Sequence, residues 1–500
     1  MTVSIAMRRL ALILLMLTLA INVECVRAQD RPEEPGKIKS LEAETAAAFD
    51  RKDFERAEDL LRKHIEVEPG NFVLYYNLAC ARAMRGDPKD AAAWLEKAVE
   101  HGFSDLVHME RDAMLDSVRP EPAYRRMVEN WSVILDARRD ANLKAIEAKY
   151  GKGYTTTADE ALRLNYRSAF EATMFEKAKA ELTAIAIWCD ESIIPGILSG
   201  EEHDAWVTVI LPTRDDYVDW IVARYGADAA GGVSMVGGAY LHDDKMLIAM
   251  DLGATLRHEF LHILHWRSMT RLSQRHPVWV MEGLCSLSED IDMDAEGKVK
   301  PAISWRTNMA KRMAKAGAIR KIEEFAGMPH NRFTGTRPLA NYAQARAIFL
   351  MLERKGLLKS WYESYTKTFR EDESGLQALL AVTQTDAKGF DRMFKQWLNE
   401  LPAVPEEIKP GMASLGVEVN PGEGDGVEIT TVTRPRRELA ELRIGDVMTA
   451  LNGKPVRDIA ELVRVLSSMA PGETVTVSYR RGKKTGETSV VLIAKEKERR

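Results

Sequence analysis

Leu256-Arg257-His258-Glu259-Phe260-Leu261-His262-Ile263-Leu264-His265-Trp266 is the stretch that organises the rest of this 500-residue chain. It is a mostly apolar run at helical period, broken by His-Glu-x-x-His. One turn separates His258 from His262, so both imidazoles share a helix face and are close enough to bind one Zn²⁺. Glu259 is offset from that pair by one residue, which places it as a base toward a metal-activated water and not as a ligand. His265 lies about 10 Å along the axis from His258, too far to share a metal with it. A third ligand must come from another element.

No glycine and later histidine follow at metzincin offsets. Pro277-Val278-Trp279-Val280-Met281-Glu282-Gly283-Leu284 offers a carboxylate instead. Pro277 suits a helix start, and Glu282 lies on that second helix with nineteen residues between it and His262. The segment 200–290 resembles the gluzincin, peptidase MA-like clan in its motif helix, its Trp-x-x-Glu-Gly sequence and the apolar strands expected over 206–211 and 245–250. The resemblance implies an α+β metallopeptidase domain over 136–400, with His258, His262 and Glu282 holding Zn²⁺ and a fourth position left open, as catalytic sites require. It also points to Tyr342, at the start of a later helix, as the group that stabilises an oxyanion; a core or capping tyrosine is the other reading. Gly237-Gly238-Ala239-Tyr240, between the strands, suits close approach of a substrate backbone. His242 reads as a surface histidine, and Trp361, Tyr365, Phe369, Phe390, Phe394 and Trp397 as core of the supporting helices.

Sliding the chain on itself by 34 residues aligns Arg51 with Arg85, Asp53 with Asp87, Ala57 with Ala91, Leu61 with Leu95 and Glu66 with Glu100. The pattern predicts helices over 41–50, 54–66, 74–85 and 89–101. Thirty-four is the tetratricopeptide period, and residues 40–102 resemble a pair of such repeats. Residues 36–135 are then an all-α tetratricopeptide-like array, with 103–135 as its cap. Such an array implies either a groove for a protein partner or a packing domain that steadies its neighbour.

Leu401-Pro402-Ala403-Val404-Pro405 and Pro410-Gly411 break helix and strand, which sets a linker at 401–410. Beyond it, Val475, Val477 and Tyr479 alternate as in a strand, while Ile459, Leu462, Val463 and Leu466 recur at helical spacing. Ser414-Leu415-Gly416-Val417, the run 442–448 and Leu451-Asn452-Gly453-Lys454-Pro455-Val456 resemble a small β-rich PDZ domain, over 411–497, of the bacterial protease-associated kind. That resemblance implies that the N–H groups of Leu415, Gly416 and Val417 receive the C-terminal carboxylate of a peptide added as a strand to the sheet edge. Arg434, Arg480 and Arg481 read as solvated loop charges.

Hydrophobic content of 45% and charged content of 29% exclude a membrane bundle and a mostly disordered chain. A net charge of -5 gives no electrostatic basis for gripping a phosphate backbone, so nucleic acid is not an expected partner. Arg8 and Arg9, the apolar run 10–21 and Val26-Arg27-Ala28 form a secretory signal peptide over 1–28. The run is shorter than the roughly 20 residues that span a bilayer, so no stable membrane insertion is expected after cleavage; an uncleaved anchor is the alternative. Cys80, Cys189 and Cys285 are too scattered for a disulfide framework and read as small buried residues. Together these features lead to the expectation of a multidomain, secreted or periplasmic zinc peptidase acting on peptides or proteins. The competing expectation is an extracytoplasmic interaction scaffold with a degenerate metal centre, which intact ligands and base argue against.

Overall fold

The computed structural model describes residues 35–199, 204–226, 237–435 and 438–496; the expected signal peptide lies outside them. Helices Pro35–Asp50, Phe54–Val67, Phe72–Met84 and Pro88–Glu100 form two successive pairs. The 34-residue offset has a physical origin. Asp53 and Asp87 each cap the second helix of a pair, accepting from the N–H groups of Arg56 and Asp90 at 3.1 and 3.2 Å. Ala57 and Ala91 are fully buried, and positive φ at Lys52 and Gly86, also 34 residues apart, turns the chain between helices. Two shorter helices, Leu106–Arg111 and Pro122–Glu129, extend the same core through Met109, Tyr124 and Met127. Helix Trp131–Lys149 runs across the boundary expected at 135. Its Trp131 and Leu135 complete the first core, and its Ile146 packs against the next domain.

That domain is built on five strands: β1 Thr155–Asp159, β2 Leu164–Ser168, β3 Val207–Leu211, β4 Gly238–Leu241 and β5 Met246–Ala249. Their order is β1-β2-β3-β5-β4, with β2, β3 and β5 parallel and the two outer strands antiparallel to their neighbours. Val207, Val209 and Leu211 of β3 enter the large core on one face, while Ile210 meets Tyr217 and Trp220 on the other. A strand covered on both faces reads as one apolar run, which is why 206–211 was legible. The large core also takes the motif helix Ala254–Leu272, the helices Ala172–Ser192, Val278–Cys285 and Pro338–Arg354, and the later helices bearing Trp361, Phe390 and Phe394. Cys80, Cys189 and Cys285 are free and buried.

A small hairpin, β6 Ile291–Met293 with β7 Val299–Pro301, precedes the remaining helices. After the linker, β8 Ala413–Ser414 pairs with the last strand, β15 Ile493–Ala494. The main C-terminal sheet contains β9 Val417–Pro421, β10 Val427–Val432, β11 Val447–Leu451, β12 Lys454–Pro455, β13 Thr474–Arg481 and β14 Lys484–Val491. Its order is β14-β13-β11-β10-β9, so β9 is an edge strand, with helix Ile459–Ser467 packed beside it. Asn452 and Gly453, at φ 48° and 77°, make the two-residue turn joining β11 to β12, where both central residues need positive φ. The arginines expected to be solvated are engaged. Arg480 and Arg481 pair with Asp425 and Asp446 at 2.7 Å, and Arg434 donates to the Val491 carbonyl at 2.7 Å. Among the described residues no helix is long and apolar enough to cross a membrane.

Candidate metal centre

The motif helix starts directly after β5, where Asp251 Oδ1 accepts the N–H groups of Gly253 and Thr255 at 2.7 and 3.2 Å. Its end is set by Ser273 in the left-handed region, after which Pro277 opens helix Val278–Cys285. The two helices pack so that His258, His262 and Glu282 converge. His258 Nε2 lies 3.2 Å from His262 Nε2 and 3.2 Å from Glu282 Oε2, and that oxygen is 3.6 Å from His262 Nε2. Ligands about 2.0–2.1 Å from a tetrahedral Zn²⁺ sit about 3.3 Å from one another, so this triangle has the dimensions of a zinc site. Two imidazoles and one carboxylate are also a donor set that zinc favours. The three side chains keep 12–14% of their surface exposed, so the centre is reachable from solvent.

His258 Nδ1 hydrogen-bonds Glu289 Oε1 at 3.0 Å, which leaves Nε2 as the metal-facing nitrogen. Arg306 holds Glu289 in turn, at 2.5 and 3.0 Å. Burial alone would push the His258 imidazole down, but hydrogen bonds to Glu282 and Glu289 outweigh it and push it up to about 10. Burial likewise works against the Glu282 and Glu289 carboxylates. At Glu282 the His262 and His258 imidazoles overcome it, and at Glu289 Arg306 does so with His258, holding both carboxyls well below the usual range. The pocket is arranged around positive charge. Sequence reasoning missed Glu289 and Arg306. A signal existed for the first: Glu289 lies seven residues past Glu282, two turns along a helix that continues through the 3₁₀ turn Ser286–Ser288.

Glu259 is not among the three ligand groups. Its Oε2 accepts the Tyr240 N–H of β4 at 2.8 Å, and burial pushes its carboxyl up against the pull of His258 and His262. A carboxylate raised in this way is a better proton acceptor near neutral pH. Tyr342, near the start of helix Pro338–Arg354, packs on Phe333 at 5.4 Å and under the Arg306 guanidinium at 5.5 Å. Burial, then the charges of Glu282 and Glu259 and a hydrogen bond to Glu282, push its phenol far up, so it stays a proton donor. The structure therefore brings Glu259 and Tyr342 to the same place as the three ligand groups.

Other expectations fall differently. His265 bonds His276 at 2.7 Å in the core, apart from the ligand triangle. His242 is half-buried, stacked on Trp266 at 4.0 Å and bonded to the Tyr240 hydroxyl at 3.2 Å, so it is not a surface histidine. At Gly237 and Gly238 the space of the missing side chains is taken by the motif helix. A Cβ at Gly237 would meet Thr255 Oγ1 at 2.6 Å, and one at Gly238 would meet Thr255 Cγ2 at 2.7 Å and Glu259 Cγ at 3.2 Å. These glycines let β4 lie against the motif helix. In the C-terminal domain Leu415, Gly416 and Val417 lead into edge strand β9; Gly416 takes φ +70° and its N–H already donates to Ser414 Oγ at 3.0 Å.

Residues 413–492 match the family model of the PDZ domain. The C-terminal region is a PDZ domain. Curated relatives are named probable periplasmic serine endoprotease DegP-like. The one from Bartonella henselae is 29% identical over 86 residues, 17% of each chain. The one from Rhizobium meliloti is 37% identical over 92 residues, 15% of this chain and 18% of that one. The one from Brucella suis is 26% identical over 134 residues, 26% of each. This chain thus spans about a quarter or less of the length of these relatives. Among solved structures, an aminopeptidase N family protein from Idiomarina loihiensis aligns over 68% of this chain and 67% of its own, at 12% identity and a TM-score of 0.25.

Proposed function

We propose that this chain is an exported zinc-dependent peptidase, secreted or periplasmic, whose PDZ domain and tetratricopeptide-like array bind peptides or protein partners. The observation that carries the reading is the triangle of His258, His262 and Glu282 at 3.2, 3.2 and 3.6 Å, with Glu259 beside it on the same helix. These three residues would hold the ion, and Glu289 and Arg306 fix the tautomer and orientation of His258. A zinc ion held there would supply Lewis-acid chemistry toward a scissile carbonyl and an attacking water.

The chain's own groups do the rest. Glu259, its carboxyl raised by burial, takes a proton from the attacking water and returns it to the leaving amine. Tyr342 donates its phenolic proton as a hydrogen bond to the developing oxyanion. Edge strand β4 lies against Glu259 and offers its outer side to an extended peptide, which fixes the scissile bond relative to the base.

The test is metal analysis paired with peptide hydrolysis by the wild type and Glu259→Gln. One zinc per chain in both proteins is expected, with turnover in the variant lower by about 10²–10⁴-fold, the span of general-base catalysis. A zinc-loaded variant that still cleaves at the wild-type rate removes Glu259 from the mechanism. Stoichiometric zinc in a wild type that cleaves nothing in a peptide library would shift the reading to an interaction scaffold.

A further inference from the structure

The PDZ domain is docked on the start of the motif helix. Leu252 N–H donates to the Gly424 carbonyl at 3.0 Å, and a Cβ at Gly424 would fall on the Met250 carbonyl. The loop between β9 and β10 therefore covers the turn from which the helix springs. Beside it, Arg457 Cδ lies 3.3 Å from where a Gly253 Cβ would be.

Four charged side chains close the contact. Glu181, on helix Ala172–Ser192, accepts from both Nη atoms of Arg457 at 2.9 and 2.6 Å and from Arg257 Nη1 at 3.2 Å. Arg257 Nη2 donates to Glu461 Oε1 at 3.1 Å, and Glu461 Oε2 accepts the Arg457 N–H at 2.8 Å. Their side chains are only 2–14% exposed. Two arginines and two glutamates balance, as buried charges must. Arg257 has a further task. It donates from Nε to the Ser288 carbonyl at 3.1 Å and from Nη2 to the Glu289 carbonyl at 2.6 Å. Glu289 is the residue whose carboxylate bonds His258 Nδ1 at 3.0 Å, and Arg257 itself immediately precedes His258.

We propose that Glu461 of the PDZ domain is a positioning residue of the metal centre, acting through Arg257 on the Glu289–His258 pair, so that the docked PDZ domain completes the centre. The proposal rests on the zinc reading above. Without the Glu461 carboxylate, Arg257 shares Glu181 with Arg457 and carries uncompensated charge in a buried place. The guanidinium then turns toward the remaining carboxylate and gives up the Ser288 and Glu289 carbonyls, so the backbone carrying Glu289 shifts while Arg306 still holds its carboxylate, and the Glu289–His258 bond that orients Nε2 is strained.

The test uses the full chain and four variants: Glu461→Gln, Glu461→Asp, Gly424→Val and Arg464→Gln. Zinc affinity is read by chelator competition, kcat and KM on a peptide with a blocked C-terminus, and docking by proteolysis of the linker 401–410. Glu461→Gln and the wedge Gly424→Val each weaken zinc binding about 10-fold, the low end of the loss seen when a group bonded to a metal ligand goes, because Glu461 acts through Arg257 and Glu289, and lower kcat with KM nearly unchanged. Glu461→Asp recovers part of the loss. Arg464→Gln, which gives up contacts to the Ile291 carbonyl and Asp292 but leaves Glu461 paired, binds zinc as the wild type does. Wild-type zinc affinity in Glu461→Gln overturns the proposal whether or not the linker has become cleavable, and so does wild-type affinity in Gly424→Val once the linker is cleavable. A wild-type chain that binds no zinc overturns the peptidase reading first and the positioning role with it, which keeps the two failures distinct.

Discussion

Gly283 follows the ligand residue Glu282, and nothing larger fits behind it. A Cβ there would lie 2.5 and 2.6 Å from Cδ2 and Cε2 of Phe349 and 3.1 Å from the Ala345 backbone. Carbon contacts settle at about 3.5–4.0 Å, so in Gly283→Ala either the ring or the helix must give by about 1 Å. The ring is held. Phe349 is fully buried and edge-on at 4.8 Å to Trp361, which stands on another helix, Leu358–Thr368. The helix carrying Glu282 moves instead. Overpacking costs about 1–3 kcal/mol and alanine in a helix returns about 1 kcal/mol over glycine, so global stability falls by only about 0–2 kcal/mol. Metal geometry tolerates about 0.2 Å, so the same shift takes Glu282 out of bonding range. Zinc affinity should fall by at least about 100-fold, beyond the 10–100-fold typical of lost outer partners. Chelator competition gives the affinity, and urea unfolding of the metal-free chain gives the stability. A variant that loses stability yet binds zinc like the wild type would refute the claim that Gly283 sets the position of Glu282.

Tyr342→Phe should keep its zinc and lower kcat by about 10²–10³, as loss of one oxyanion donor does, with KM little changed; a change confined to KM would make Tyr342 a packing residue. His265 and His276 are buried and bonded to each other at 2.7 Å, and burial pushes both imidazoles down, His265 to about 3. Folded chains then bind fewer protons than unfolded ones as pH falls from about 6.5 toward 3, so stability drops on acidification by up to about 1.4 kcal/mol per pH unit for each histidine. Urea midpoints measured from pH 7 to pH 5 should decline, and less steeply in His276→Gln; equal slopes in the two proteins would assign the acid sensitivity elsewhere.

What the sequence exposes is whatever has a period. His258 and His262 stand one turn apart on a helix, Glu282 follows at a recognisable spacing, and Asp53 and Asp87 repeat because each caps the same helix of its pair. What it hides is which surfaces meet. Arg257 sits in an apolar run, where its charge looks incidental, yet it grips Ser288, Glu289 and Glu461. Glu461, on an amphipathic helix, and Arg457, just before it, look solvated because the partners that bury them, Arg257 and Glu181, stand 204 and 276 residues earlier in the chain. Gly237 and Gly238 show only that side chains are missing there. The space they leave is filled by Thr255 and Glu259 of the motif helix.

The docked contact changes how a delivery role for the PDZ domain has to be tested. Removing residues 406–500 strips Arg457 and Glu461 from Glu181 and Arg257, so slower cleavage by the truncated chain would follow from a disturbed metal centre even if the PDZ domain delivered nothing. Delivery has to be measured with the domain in place, by varying the substrate. Edge strand β9 begins at the Leu415-Gly416-Val417 turn, so a peptide with a free C-terminus gains a carboxylate contact and a strand partner that an amidated peptide of the same sequence gains only in part. A hydrogen bond to a charged group is worth about 1.5–3 kcal/mol, which for one such contact is roughly a 10–150-fold difference in affinity. Because Gly416 N–H already donates to Ser414 Oγ, the incoming carboxylate must displace that hydroxyl, and the lower end is expected. Delivery through the edge of β9 therefore lowers KM about tenfold for the free acid and leaves kcat alone; equal KM values for acid and amide would leave the PDZ domain its place on the motif helix and no part in capturing substrate.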